Sequence, residues 1–310
     1  MSTITSIALV GAGGKMGCRV VDHLKDHPGY SLRCVERGER GHLQLAQRGI
    51  TPLPVAEAIT DADVMILALP DRVLGSVAHT LVPQVKSGCL VVTLDPAAAH
   101  AGELPERADV SYFVSHPCHP SVFDHFDTAE ERDDFFGGTH ARQAIVCALM
   151  QGPESDYARG EQLARDFYAP VTRAHRITVA QMALLEPAMA ETVGIALIRT
   201  LRQALEEVVA RGVPREAAED FLFGHIKVPL GIAFERVNFP FSDGAKLIAE
   251  YGQEVILNHN WKQVFEPESV LEQCKAITTG EKPHGVHPSG CAGAEPAAGH
   301  AVKSNTPPAP

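Results

Sequence analysis

Apolar residues follow two different patterns along this chain. In the first half they form short unbroken runs, at residues 4–10, 31–35, 63–69, 89–94 and 110–114, separated by polar or glycine-rich stretches. Runs without alternation are strands covered on both faces, and with helix-length segments between them they predict a doubly wound parallel sheet. Residues 143–150 and 170–175 predict two more strands around a helix at 155–167. From Ile177 the spacing becomes helical. Residues 178–211 keep that period for about nine turns at 3.6 residues each, then stop at Gly212-Val213-Pro214, a left-handed terminator followed by proline. Pro187 lies inside this segment and is expected to kink it. Residues 215–224, 227–236, 243–257 and 267–278 predict further helices. The chain therefore reads as α/β, with a sheet domain over residues 1–175 and an all-helical domain over 176–278. Past that point Gly, Pro, Ala and His replace the apolar residues, so residues 279–310 predict a disordered tail. The long first helix of the second domain is too apolar for one small domain to cover, which predicts a homodimer interface.

The turn Gly11-Ala12-Gly13-Gly14-Lys15-Met16-Gly17 follows the first strand and opens a helical segment. Glycine lets backbone approach a pyrophosphate, and the helix that follows aims free N–H groups and its positive end at the phosphates. That order makes the sheet Rossmann-type and predicts a dinucleotide. The second strand ends at Glu36, about 20 residues beyond the turn, where a ribose-binding acid belongs. A carboxylate there accepts from the adenosine ribose hydroxyls and repels a 2′-phosphate, so NAD is the expected cofactor. Arg37 and Arg40 stand where they could relieve that repulsion.

Composition narrows the partners. The 310 residues carry a net charge of −11 with 45% hydrophobic content, which argues against nucleic acid or an anionic membrane, since either needs a basic surface. A small-molecule substrate is expected instead. Met1-Ser2-Thr3 leads directly into the first apolar run, so a cytoplasmic location is expected. The 7 cysteines (Cys18, Cys34, Cys89, Cys118, Cys147, Cys274 and Cys291) form no CxxC pair. They read as reduced and mostly buried.

Ligands collect at the carboxyl ends of strands in an open parallel sheet. Pro70-Asp71-Arg72 follows one such strand, with Asp71 either over the cofactor or capping the next helix. For Asp95-Pro96, after the next strand, the cap is the favoured role. The loop Ser115-His116-Pro117-Cys118-His119-Pro120 follows the strand at 110–114, where two prolines stiffen a segment bearing two imidazoles. A histidine there can take a hydroxyl proton as hydride leaves, or bind a metal as neutral imidazole. Glu186 and Glu191 are the only acids in an otherwise apolar stretch of the long helix, and each needs a cation, a proton or a hydrogen-bond partner. On an α-helix five positions separate them by roughly 140°, so only one is expected to face the cleft. His with Glu and no clustered cysteines suits Mg, Mn, Ca or Zn. Lys227 and His225 are further candidates for substrate contacts.

These motifs resemble known families. The N-terminal portion is similar to the NAD-binding domains of the 6-phosphogluconate and 3-hydroxyacid dehydrogenase superfamily. Its glycine turn is close to that of dihydrodipicolinate reductases, and His116-Pro117 is similar to the His-Pro motif of prephenate and hydroxyacyl dehydrogenases. The lysine-asparagine helix motif of 3-hydroxyacid dehydrogenases is not evident, so their lysine mechanism is not carried over. With Leu185-Glu186-Pro187, Glu191, Phe223-Gly224-His225 and Trp261-Lys262-Gln263-Val264-Phe265, residues 5–278 most resemble the D-apionate oxidoisomerases, often named semialdehyde or phosphogluconate dehydrogenases. That resemblance implies oxidation by NAD of the alcohol carbon beside the substrate carboxylate, then a hydroxymethyl shift from the neighbouring carbinol carbon, giving 3-oxoisoapionate. It also implies a divalent metal held by His116 and Glu191, with His116, His119 and Glu186 as the catalytic groups. Gly11, Gly13, Gly14, Lys15, Met16, Gly17, Glu36 and Asp71 are the expected cofactor contacts. The residues alone leave two alternatives open: a simple NAD(P)-dependent hydroxyacid dehydrogenase without rearrangement, in which His116 is only a base, and a regulatory protein that binds NAD without chemistry.

Overall fold

The computed structural model describes residues 4–283. Most of the predicted tail, and Cys291 with it, lies outside the described residues. Seven strands form one sheet: β1 Thr5–Val10, β2 Tyr30–Val35, β3 Val64–Leu67, β4 Leu90–Thr93, β5 Ser111–Pro117, β6 Gln143–Gln151 and β7 Val171–Arg176. Their order is β2-β1-β3-β4-β5-β6-β7, and every neighbouring pair is parallel except β5 with β6. The fold is α/β, a Rossmann-type sheet followed by a helical half.

The unbroken apolar runs have a direct explanation. Along β1, Ile7 and Leu9 pack on one face with Val20, Leu24, Leu163 and Phe167, whereas Ala8 and Val10 pack on the other with Leu74, Ala78 and Leu81. Helices cover both faces over Ile7–Val10, so those four positions are all buried and apolar, while Thr5 and Ser6 at the strand's half-buried start are polar. Between β1 and the helix Lys15–Leu24, Gly11 adopts φ +81, and a Cβ there would overlap the carbonyl oxygen of Ala68. A Cβ on Gly17 would in turn overlap the Gly11 carbonyl oxygen. Because that obstacle is backbone with nowhere to move, Gly17→Ala is expected to destabilise the protein by about 3 kcal/mol. Urea denaturation with an unchanged midpoint would contradict it.

The helical half begins with one continuous helix, Val179–Ala210, which is long and apolar enough by length and composition to cross a membrane. Part of it is used otherwise: Met182, Ala183, Pro187 and Ala188 are buried, and Ala183 and Ala188 pack with Ala97 and with Val270 and Cys274 of the last helix, Pro267–Thr279. One expectation is corrected here. Residues 215–224 and 227–236 are not separate helices but a single one, Arg215–Ala233, which runs through Gly224 and Pro229. A helical glycine costs only about 1 kcal/mol relative to alanine, too little to end a helix by itself. At Pro187, where the sequence marked an irregularity, the helix stays continuous and residues Leu184–Ile195 are wound as a π-helix.

Candidate active site

A cleft of about 700 Å³ opens at the carboxyl ends of β1 and β2, lined by Gly11, Gly13, Gly14, Lys15, Glu36 and Arg40 among others. The helix Lys15–Leu24 starts at Gly14 with no side-chain cap. Its first N–H groups, on Lys15, Met16 and Gly17, are therefore unclaimed by the helix and available to an anion. Lys15 Nζ lies 3.2 Å from the centre of the Phe136 ring. Glu36 is held by three backbone amides: its Oε2 accepts from Gly13 N–H at 2.8 Å, and its Oε1 from Arg37 and Gly38 N–H at 2.8 and 2.9 Å. Burial pushes the Glu36 carboxyl up, but these amides, with His42 nearby, hold it below the usual carboxylate range. A bare-backbone cradle with uncapped amides, beside a carboxylate kept ionised, fits a dinucleotide.

The second part of the site lies where β4 and β5 end. His116 was expected in a loop after β5, but the strand continues through His116-Pro117 and His116 pairs with Val146 of β6. The antiparallel β6 supplies the extra ladder, so the imidazole is carried by the sheet. His116 Nδ1 lies 2.8 Å from the Leu94 carbonyl oxygen. That nitrogen must be the N–H donor, which leaves the Nε2 lone pair free. Nε2 faces Glu186 Oε2 at 3.4 Å, and Asp95 Oδ2 lies 4.0 Å from Nδ1. His119 has left-handed backbone, φ 60, and its Nδ1 lies 2.9 Å from the Phe136 carbonyl oxygen. Its ring centre is 6.3 Å from that of His116.

The π-helix changes the relation between Glu186 and Glu191. Its hydrogen bonds span five residues instead of four, so a five-residue step returns close to the same face instead of diverging as on an α-helix. Both carboxylates act on one neighbourhood. Glu191 is exposed in the single chain, yet partial burial, then repulsion from Glu186, Asp95 and Asp71, push its pKa up to about 7, opposed by His116. Burial, followed by the Asp95 charge, pushes Asp71 up to about 6. Asp95 is also raised, by burial first, with Glu186 adding to it. Asp71 does not cap its helix: Pro70 occupies that position and Asp71 is the first helical residue. Asp95 does accept from Ala97 N–H, at 2.7 Å, as a cap would, but it also belongs to the site, a role the sequence reading missed although the same strand-end rule pointed to it.

Among the described residues no three His, Cys, Asp or Glu side chains already meet at metal-binding spacing. The donor set nevertheless fits a hard divalent cation: Asp71, Asp95, Glu186 and Glu191 gather around one imidazole whose Nε2 lone pair faces a carboxylate, an arrangement only a proton or cation relieves. Lys227 and His225 are not brought to this cluster within one chain. Lys227 lines a separate apolar cavity of about 710 Å³ with Phe123, Phe223 and Phe239, and His225 stacks on Phe221.

Comparison with known proteins places the chain in a family. Residues 124–278 match the family model described as phosphogluconate dehydrogenase (decarboxylating), C-terminal. The chain is 46% identical over 276 residues to a D-apionate oxidoisomerase of Rhizobium rhizogenes, covering 89% of this chain and 100% of that protein. It is 43% identical, with a TM-score of 0.85, to a semialdehyde dehydrogenase NAD-binding protein from Cupriavidus necator, solved in complex with calcium and NAD; the match covers 88% of this chain and 99% of that one. An NADH-preferring ketol-acid reductoisomerase from an uncultured archean shares the fold at 19% identity, with a TM-score of 0.62 over 89% of this chain and 83% of that one. With 46% identity sustained over nearly its whole folded length, this chain belongs to the D-apionate oxidoisomerase family.

Proposed function

We propose that this protein is an NAD-dependent oxidoisomerase that converts D-apionate to 3-oxoisoapionate. The observation that carries this reading is the His116 ring, fixed by the Leu94 carbonyl so that Nε2 faces Glu186 at 3.4 Å. Glu36 and the amides at the start of the helix Lys15–Leu24 would hold NAD, which when bound takes the hydride from the alcohol carbon. His116 and Glu191, with Asp71, Asp95 and Glu186 adding negative charge, would hold a divalent ion, which when bound polarises the substrate's ketone and carbinol oxygens. Calcium is the ion named with the Cupriavidus necator neighbour.

The chain's own groups then manage the protons. Oxidation releases one proton from the alcohol oxygen. In the shift, the bond from the carbinol carbon to the hydroxymethyl group breaks as the same group bonds to the new ketone carbon. The carbinol oxygen loses a proton and the former ketone oxygen gains one. Nε2 of His116 has a single lone pair, so as a metal ligand it cannot also be the base, and Glu186 beside it takes the proton. His119, whose ring lies edge-on to His116 with centres 6.3 Å apart, would pass protons outward. Incubation with D-apionate and NAD should yield NADH and the rearranged ketone, seen by absorbance and carbon NMR. NADH accompanied only by an unrearranged ketone would favour the simple hydroxyacid dehydrogenase, and NADH binding with no turnover on a panel of sugar acids would favour the regulatory protein.

We further propose a cytoplasmic homodimer that acts on a small sugar acid and has no nucleic-acid or membrane partner. The helix Asp243–Ile256 buries no residue within the chain, while Leu247, Ile248, Tyr251, Val255 and Ile256 are each 63–66% exposed. An apolar helix face of that kind calls for a second copy to cover it. Ile248→Asp is expected to convert the dimer to monomer in light scattering. A wild-type protein that is already monomeric at working concentration would refute the dimer.

A further inference from the structure

Glu36 would read the adenosine ribose, and besides the adjacent Arg37 and Gly38 N–H groups on Oε1, its carboxylate is held by backbone further along the chain. The side chain is sandwiched between two stretches of bare backbone. On one side Gly13 N–H donates to Oε2 at 2.8 Å. On the other side stands Gly41, a buried residue of the helix Glu39–Ala46. A Cβ on Gly41 would overlap the Glu36 carboxyl carbon and lie 2.6 Å from Oε2. The two glycines also touch each other, since a Cβ on Gly13 would come within 2.5 Å of the Gly41 carbonyl oxygen. Gly13, Glu36 and Gly41 therefore form one layer that leaves no space for a single added carbon.

We propose that Gly41 is a specificity-positioning residue: by presenting bare backbone it keeps the Glu36 carboxylate on the glycine turn, where that carboxylate admits a ribose diol and excludes a 2′-phosphate. The inference rests on the NAD reading and extends it to a residue that need not touch the cofactor's reacting end. Two physical points support it. The atoms that a Gly41 Cβ would strike are the far end of a flexible side chain, so Gly41→Ala can be accommodated by swinging the carboxylate away, without unfolding. Gly13→Ala, by contrast, would strike the Gly41 backbone. Once the carboxylate has left, Arg40, which lines the same cleft, and Arg37 beside Glu36 would face the ribose without a competing anion, and guanidinium groups bind phosphate well.

The test is fluorescence titration of the full chain with NADH and NADPH, with thermal melting as a check on folding. Gly41→Ala is expected to weaken NADH by about tenfold and to lower the ratio of the NADPH to the NADH dissociation constant by about tenfold or more, the scale of a hydrogen bond to a charged group. A merely structural role would weaken both dinucleotides together and leave that ratio unmoved. A cycle with Glu36→Ala provides the second measurement, because removing the carboxylate makes room for the new Cβ. In the Glu36→Ala background, Gly41→Ala should change the ratio no further. An unchanged ratio in the single variant, or an additional change in the double variant, would overturn the proposal. Wild-type protein that prefers NADPH would sink the NAD reading itself, and this inference with it.

Discussion

His116→Ala is expected to lower kcat on D-apionate by about 10³-fold, within the range lost when a positioned proton-transfer group is removed, while the affinity for NADH stays near that of the wild type. The separation follows from where the ring sits. His116 is carried by the sheet at the end of β5 and oriented by the Leu94 carbonyl, whereas the dinucleotide cleft is built from the ends of β1 and β2. Whether Nε2 ligates an ion or takes the proton itself, its loss removes an interaction made with the reacting atoms. It also removes the imidazole nitrogen that faces Glu186 Oε2 at 3.4 Å. His116→Asn, which can keep the donor to Leu94 but offers no imidazole lone pair, should be nearly as slow. Steady-state rates together with NADH titration check this. A variant retaining more than about a tenth of wild-type kcat would remove His116 from the chemistry, since such a residue is worth at least about two orders of magnitude.

The features legible from the sequence share a cause: their physical requirement is local. The turn from Gly11 to Gly17 and the acid at Glu36 have the spacing that a dinucleotide site requires, where backbone approaches a phosphate and a strand ends at a ribose. The strands were legible because helices on both faces leave the buried stretches Ile7–Val10, Val64–Leu67 and Leu90–Val92 wholly apolar. What escaped the reading depends on contacts between distant segments. The reversed direction of β6 leaves no trace in its own composition, yet it is what extends β5 through His116. The π-wound stretch at Leu184–Ile195 looks like any apolar helix in sequence; Pro187 marked an irregularity without revealing that it would bring Glu186 and Glu191 together. Asp95 was legible as a cap; Pro96 holds that position, although Asp95 accepts from Ala97 N–H, and its place beside His116 needed the loop's three-dimensional course. Gly41 gave no signal at all, because its neighbour is the end of the Glu36 side chain packed against it.

Removing divalent ions is expected to reduce turnover by at least about 10²-fold, since Lewis-acid polarisation contributes several kcal/mol to such steps, and to leave NADH binding intact. The charge arrangement explains why, and gives a readout independent of activity. Without a cation, Glu191 is raised from its ordinary 4.5 to about 7, by burial first and then by Glu186, Asp95 and Asp71, and Asp71 from 3.8 to about 6. Each of these acids holds its proton more tightly in the folded protein than in the unfolded chain. Between the unfolded and folded pKa values the native state therefore binds more protons, and stability falls as pH rises through that window, levelling off above about 7. The metal-free protein should melt at a lower temperature at pH 8 than at pH 5.5, and Glu191→Gln should flatten part of that slope, the comparison cancelling titrations elsewhere in the chain. Calcium or another hard divalent ion binds the ionised carboxylates, so it should stabilise the protein more at pH 8 than at pH 5.5, and in Glu191→Gln that gain should shrink. Full turnover after exhaustive chelation, together with a calcium effect on melting that does not depend on pH, would instead make this cluster a metal-free acid–base site and favour oxidation without rearrangement.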